Sequence, residues 1–260
     1  MAGTHPTAII EEGAQIGEGC TIGPFCVVGP QVVLGDGVEL KSHVVVTGDT
    51  QIGGGTIVFP FAVIGEIPQD LKFGGEQTRL RIGARNRIRE HVTMNSGTRA
   101  GGGETRIGDD GLFMAGCHIA HDAQIGHRVI VVNSSAVAGH CVIEDDVIIG
   151  GLSGVHQWVR VGQGAIIGAV TMVTKDVVPH GLVQGPRGVL DGLNLVGLKR
   201  KGVARADITA LRAAFQMLKD GEGTFQDRAH RLAEESDSPF VQQMVQFILG
   251  ETDRNFLTPG

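Results

Sequence analysis

Residues 10–64 read IEEGAQIGEGCTIGPFCVVGPQVVLGDGVELKSHVVVTGDTQIGGGTIVFPFAVI. Every sixth residue is aliphatic: Ile10, Ile16, Ile22, Val28, Leu34, Leu40, Val46, Ile52, Val58 and Ile64. A glycine often follows directly, as in Ile16-Gly17, Ile22-Gly23, Val28-Gly29 and Leu34-Gly35. The phase returns at Ile82 and Ile88 and slips by one near Gly101-Gly102-Gly103. It then runs through Ile107, Phe113, Ile119, Ile125, Val131, Val137, Ile143, Ile149, Val155, Val161, Ile167 and Val173. A period of six is neither that of a helix nor that of a flat amphipathic strand. It is the repeat of a solenoid in which each hexapeptide supplies one short strand and one corner. Three such units close a triangular coil, with the aliphatic residue inward and a small residue at the tight corner.

The composition agrees. Glycine supplies 41 of 260 residues, while there are 10 Phe, 1 Trp and no Tyr. Nine prolines are too few for collagen, and 42% apolar residues are too many for a disordered chain. A net charge of −6 argues against a general nucleic-acid binder, which needs a basic footprint. The opening residues Met1–Pro6 carry no basic leader, and no run reaches the roughly 18 apolar residues of a membrane span. Cys20, Cys26, Cys117 and Cys141 lack CxxC spacing, so reduced structural thiols in a cytoplasmic protein are expected.

Two segments interrupt the repeat. Residues 66–80 place Asp70 and Glu76 where the inward phase wants aliphatics, and residues 97–105 shift the phase. Both read as loops thrown out from the coil, where function often resides. After Val173 the repeat fades. Ile208, Leu211, Ala214, Phe215 and Leu218 then follow helical spacing, a second helix is expected over 225–235, and a third from Pro239. The last few residues are expected to fray. The expected organisation is a parallel β-helix over 1–190 and a small α-helical domain over 191–260.

In an 18-residue coil, residues 18 apart lie one above another. Gly139 therefore stacks on His121, and His140 on Asp122. His121 then faces a layer with no side chain, where a substrate has room and a bare amide is available. A neutral imidazole beside a carboxylate suits general-base chemistry, and a free N–H suits a developing oxyanion. A polar ladder with no chemistry is the plain alternative. Metal is a rival use, since His118, His121, His140 and His156 have the residue types of a zinc site such as that of the gamma-class carbonic anhydrases, which share this kind of solenoid. No phosphate-binding GxxxxGK[ST] or GxGxxG fingerprint is present.

The hexapeptide pattern resembles the left-handed parallel β-helix acyltransferases; the left hand comes from that resemblance, because ordinary parallel crossovers are right-handed. The motifs IGPFCVVGP (22–30), LKSHVVV (40–46), QDLKFGGE (69–76), RNRIRE (85–90), HIAHD (118–122), IIGGLSGVHQ (148–157) and GLNLVGLKRKG (192–202) narrow it. In that order and spacing they resemble the UDP-N-acetylglucosamine 3-O-acyltransferase family, which opens lipid A assembly. The resemblance covers about residues 5–220.

The resemblance implies His121 as general base, Asp122 as its orienting partner and Gly139 as oxyanion donor. It implies Asp70 and Lys72 at the sugar, and His118, His140, His156 and Gln157 along the sugar and acyl region. Asn194 and Arg200 would hold the nucleotide, with Lys201 near the phosphates. Ala169 and Arg187 would border the acyl pocket. It also implies a homotrimer with sites between subunits, no metal or redox cofactor, and acyl carrier protein as donor. Residues 199–212 carry five basic groups and Asp207, a local +4 that suits an acidic carrier, and Arg85, Arg87 and Arg89 are further candidates. Val196 departs from the family, whose familiar members are acidic there. The alternatives are a metal-dependent hydratase of the carbonic anhydrase kind, another hexapeptide acyltransferase on a related UDP-sugar, and a non-catalytic scaffold. The sibling N-acyltransferases carry a further domain before their coils, whereas the coils here start by Ile10.

Overall fold

The computed structural model describes residues 3–252 and 254–259. Most strands are two residues long, and they sort by position into three sheets. Face A includes Thr21–Ile22, Ile57–Val58 and Ile148–Ile149; face B includes Val27–Val28, His118–Ile119 and Gly154–Val155; face C includes Val33–Leu34, Gln124–Ile125 and Arg160–Val161. Successive turns pair in parallel, as in His118↔Ala136 and Ile119↔Val137. The second residue of each strand points into the prism. Val28, Val46, Ile64, Ile119 and Val137 are all fully buried there. Each such side chain contributes roughly 1.5–3 kcal/mol of burial, which offsets the backbone entropy of a thin coil.

The ends differ from the middle. Ile16 stays 37% exposed, because the first coil has no coil beneath it. Ile52 pairs with Ile82, 30 residues on, and Ile82 with Ile107, 25 residues on. Those two turns therefore carry the insertions that broke the repeat. The corners form three columns in the left-handed backbone region. Phe25, His43, Phe61 and His91 turn face A into face B; Asp122, His140 and Trp158 turn B into C; Arg85, Asp110, Arg128, Asp146 and His180 turn C into A. Amides of these residues bond one layer back, as His43 N–H does to Pro24 O (2.9 Å) and His140 N–H to His121 O (3.1 Å).

Face A ends in a hairpin, Gly181–Gln184 against Val189–Leu193, which the fading repeat concealed. Helices follow: α1 (Leu195–Arg200), α2 (Arg205–Asp220), α3 (Phe225–Glu235) and α4 (Pro239–Leu249). Leu211, Ala214 and Leu218 are the buried face of α2, as their spacing required. The short α1 had no periodicity to reveal it. The terminal segment does not fray. Phe256 bridges Asp176 and Pro259 bridges Leu190, and burial of Phe256 and Leu257 holds the segment on the last coil. Asp253 and Gly260 lie outside the described residues, as do Met1 and Ala2.

Candidate active site at one corner of the coil

The strand His118–Ile119 puts Ile119 inside and His118 outside on face B. Two residues later the chain turns toward face C, and His121 and Asp122 occupy that corner, 6% and 3% exposed. His121 Nδ1 lies 2.8 Å from Asp122 Oδ2. This bond fixes the ring and leaves Nε2 free to accept a proton. One layer on, Gly139 lies against the imidazole. A Cβ built there would sit 2.5 Å from His121 Cε1 and 2.8 Å from Nε2, so no side chain fits while the ring keeps this position. Among the described residues, no internal hydrogen bond uses the Gly139 N–H.

Asp122 is held from four directions. Its carboxylate accepts Thr98 N–H (2.8 Å), Thr98 O–H (2.6 Å) and the His121 ring, and its own N–H donates to Thr105 Oγ1 (2.7 Å). Thr98 belongs to the second inserted loop, which therefore folds back onto the dyad. A Cβ on Gly101 would collide with the Asp122 carboxylate at 2.0 Å, so a glycine is needed for that approach. Sequence reasoning missed Thr98 and Thr105. The signal available was the phase slip itself, together with a glycine cluster that permits close packing.

His118 and His140 complete the group. His118 Nδ1 is 2.7 Å from Thr93 Oγ1, and its pKa is lowered by burial and by the neighbouring His121. Burial also lowers His140, opposed by Asp122 and Asp70 and assisted by His121. Thus the first loop brings Asp70 within electrostatic reach of His140. Lys72 N–H donates to Asp70 Oδ1 (3.0 Å), which turns the loop locally. His156 and Gln157 stand exposed two layers above Ala120 and His121, with His156 Nδ1 3.1 Å from Gln157 O. The reactive atoms of His121, Asp122 and His140 lie within 4.8 Å of one another. A metal ion would find three donors there, but Asp122 Oδ2 already accepts a hydroxyl and serves the His121 ring.

The other candidates do not join this corner in a single chain. Asn194 caps α1, accepting Gly197 N–H (2.9 Å), and donates to Gly164 O (3.0 Å). Lys201 pairs with Asp146 at 2.8 Å. Both anchor on the C-to-A edge, across face C from His121, and exposed Arg200 shares their helix. Ala169 lies at the A-to-B edge, and Arg187 in the nearby hairpin turn. Of the basic RNRIRE motif, Arg85 is paired with Asp110 (2.7 Å) and Arg89 with Glu90 (2.9 Å), leaving Arg87 exposed and unpaired among the described residues. Burial pushes Cys117 and Cys141 up to about 12, so these thiols are inert.

Residues 5–48 match the bacterial transferase hexapeptide family, and 176–257 match domain 2 of the UDP N-acetylglucosamine O-acyltransferase family. A protein of Paracoccus denitrificans named acyl-[acyl-carrier-protein]–UDP-N-acetylglucosamine O-acyltransferase is 69% identical over 203 residues, 78% of this chain and 77% of its own. One of the same name from Rhizobium johnstonii is 49% identical over 99% of this chain and 95% of its own. The solved UDP-N-acetylglucosamine acyltransferase of Campylobacter jejuni superimposes with a TM-score of 0.94 at 38% identity, covering 99% of this chain and 100% of that one.

Proposed function

The chain belongs to the UDP-N-acetylglucosamine O-acyltransferase family, and from that premise we propose that its reaction runs at the His121–Asp122 corner. The enzyme is an acyltransferase that moves an acyl chain from acyl carrier protein to UDP-N-acetylglucosamine, at the start of lipid A biosynthesis. The metal-dependent hydratase reading is not favoured by these relatives. In the proposed mechanism, His121 Nε2 takes the proton from the sugar 3-hydroxyl as that oxygen attacks the thioester carbonyl. Asp122 stabilises the imidazolium that forms. The Gly139 N–H holds the oxyanion. Collapse breaks the C–S bond, and His121 returns the proton to the departing carrier thiol. The carrying observation is the His121 ring, locked at 2.8 Å to Asp122 and packed against a residue with no side chain. Purified His121→Ala, given UDP-N-acetylglucosamine and acyl-carrier thioesters with products read by mass spectrometry, should lose roughly 100-fold or more of its turnover. Near-normal turnover would refute the assignment of the base.

A homotrimer is the proposed assembly, because faces A and B each carry a run of apolar side chains on their outer side over several successive turns. Face A presents Leu112, Ile130, Ile148 and Ile166 outward on successive turns, after Thr21, Glu39, Ile57 and Arg87; face B presents Val27, Val45 and Val63, followed by Thr93, His118 and Ala136; face C is the most polar, with Gln51, Arg81, Arg106 and Gln124 among Val33 and Val142. Faces A and B meet at an edge carrying a ladder of Phe25, His43, Phe61 and His91, with ring centroids 5.0, 5.0 and 5.2 Å apart. Placing that edge at a threefold axis turns face A of one copy toward face B of the next. The C-to-A edge of one copy, with Asn194, Arg200 and Lys201, then comes beside the His121 corner of its neighbour. The roles of those residues at the nucleotide, of Asp70 and Lys72 at the sugar, of His118, His140, His156 and Gln157 along the substrate, and of Ala169 and Arg187 at the acyl chain are proposals within this frame. No helix among the described residues is long and apolar enough to cross a membrane. Cytoplasmic residence is proposed from the free, buried cysteines.

A further inference from the structure

His140 is the member of the group with nothing to orient it by hydrogen bonding. Its Nδ1 stands 3.6 Å from Asp122 Oδ2, beyond hydrogen-bond reach, and among the described residues no hydrogen bond reaches its side chain. Its ring is nevertheless confined. It meets His121 edge-on, with planes at 84° and centroids 5.0 Å apart. On its face lies the indole of Trp158, 3.8 Å away and 6° from parallel. Trp158 is the only tryptophan of the chain. It sits 53% exposed at φ +68°, in the left-handed corner conformation it shares with Asp122 and His140 below it. Its N–H bonds Gly139 O at 3.1 Å, which fixes the corner one layer above His140. Half of the side chain is open to solvent, and the indole's aromatic partner is the His140 ring.

We propose that Trp158 is a positioning residue for acyl transfer, clamping the His140 imidazole edge-on to His121 and beside Asp122. This rests on the reading of the His121 corner as the transfer site. Without the indole, the His140 ring is free to swing against His121 or out of the site. The titratable and charged groups facing His140 are Asp122, His121 and, from the first loop, Asp70. An imidazolium over the indole face gains a cation–π attraction, so the stack bears on His140 charge as well as on its geometry.

The test uses the full-length enzyme and its acyl-carrier and UDP-sugar substrates. Trp158→Ala should lower kcat by roughly 10- to 100-fold, the range for misplaced site groups, and displace the acidic limb of the kcat/KM–pH profile. Trp158→Phe retains a stacking ring and should restore most of the loss, which separates positioning from folding. In the unaltered protein, tryptophan emission should fall as His140 gains its proton, and His140→Asn should erase that titration. Trp158→Ala with unaltered kcat and pH profile, alongside an inactive His121→Ala, would overturn the positioning role alone. So would an emission titration that survives His140→Asn. An active His121→Ala would instead remove the reading of the corner on which the role depends.

Discussion

At the scale of single residues, the site depends on what Gly139 lacks and what Thr98 adds. Gly139→Ala puts a methyl 2.5 Å from the His121 ring, so the ring must leave its bond to Asp122 or the corner must open. Turnover should drop by roughly 100-fold, as expected for lost alignment of base and oxyanion donor, with the thermal midpoint little changed. A variant with full activity would show that His121 does not work in the position seen. Thr98→Val keeps the shape but removes the 2.6 Å hydroxyl contact to Asp122. A hydrogen bond to a charged group contributes about 1.5–3 kcal/mol, so roughly a tenfold loss in kcat is expected, restored by Thr98→Ser. Equal activity in the valine and serine variants would count against Thr98. Stacking arithmetic made the pairing of Gly139 with His121 legible, because residues 18 apart must be neighbours in a regular coil. Thr98 was hidden, since it reaches Asp122 from an insertion that no repeat specifies, whereas Thr105 lies one regular coil below the corner and lacked only a reason to be singled out.

At the scale of elements, α1 is tied to the coil by charge. Asp146 lies beneath Lys201 (2.8 Å) and Arg128 (2.8 Å). Burial disfavours its charge, but hydrogen bonds from Arg128 and Lys201 prevail and hold its carboxyl at about 2, against an ordinary 3.8. A depressed carboxylate stabilises the fold fully above the ordinary value, and loses that contribution as pH falls from about 3.8 through about 2. Lys201→Met should therefore reduce stability at neutral pH and flatten the acid-unfolding profile in that window, followed by circular dichroism. The same steepness as in the unaltered protein would mean that Lys201 does not depress Asp146. His180, packed against the helices, acts in a different range. Burial lowers its pKa, so the unfolded chain binds the proton first and stability declines as pH drops below about 6.5. The helices α2 to α4 were legible from their apolar spacing. The hairpin at 181–193 and α1 were not, because short elements rich in glycine carry no period.

At the scale of the whole molecule, face A of the left-handed parallel β-helix carries a run of apolar side chains outward, Leu112, Ile130, Ile148 and Ile166, which should be covered. Ile130→Glu places a charge at the middle of face A and points away from the interior, so the coil should remain folded. Light scattering should show a trimer for the unaltered protein and monomer for the variant, with activity lost because the C-to-A edge of a neighbour no longer meets His121. A monomeric unaltered protein with full activity would rule out shared sites. The sequence by itself determined the coil, its triangular section, the inward residues and the layer that joins His121 to Gly139. It could do so because a fixed repeat makes distance along the chain equivalent to position in space. Only the tertiary structure decided how the second loop grips Asp122 and that Asn194 and Lys201 stand on another edge. Those contacts join segments whose separation obeys no period, so they are set by how insertions and caps pack onto the coil.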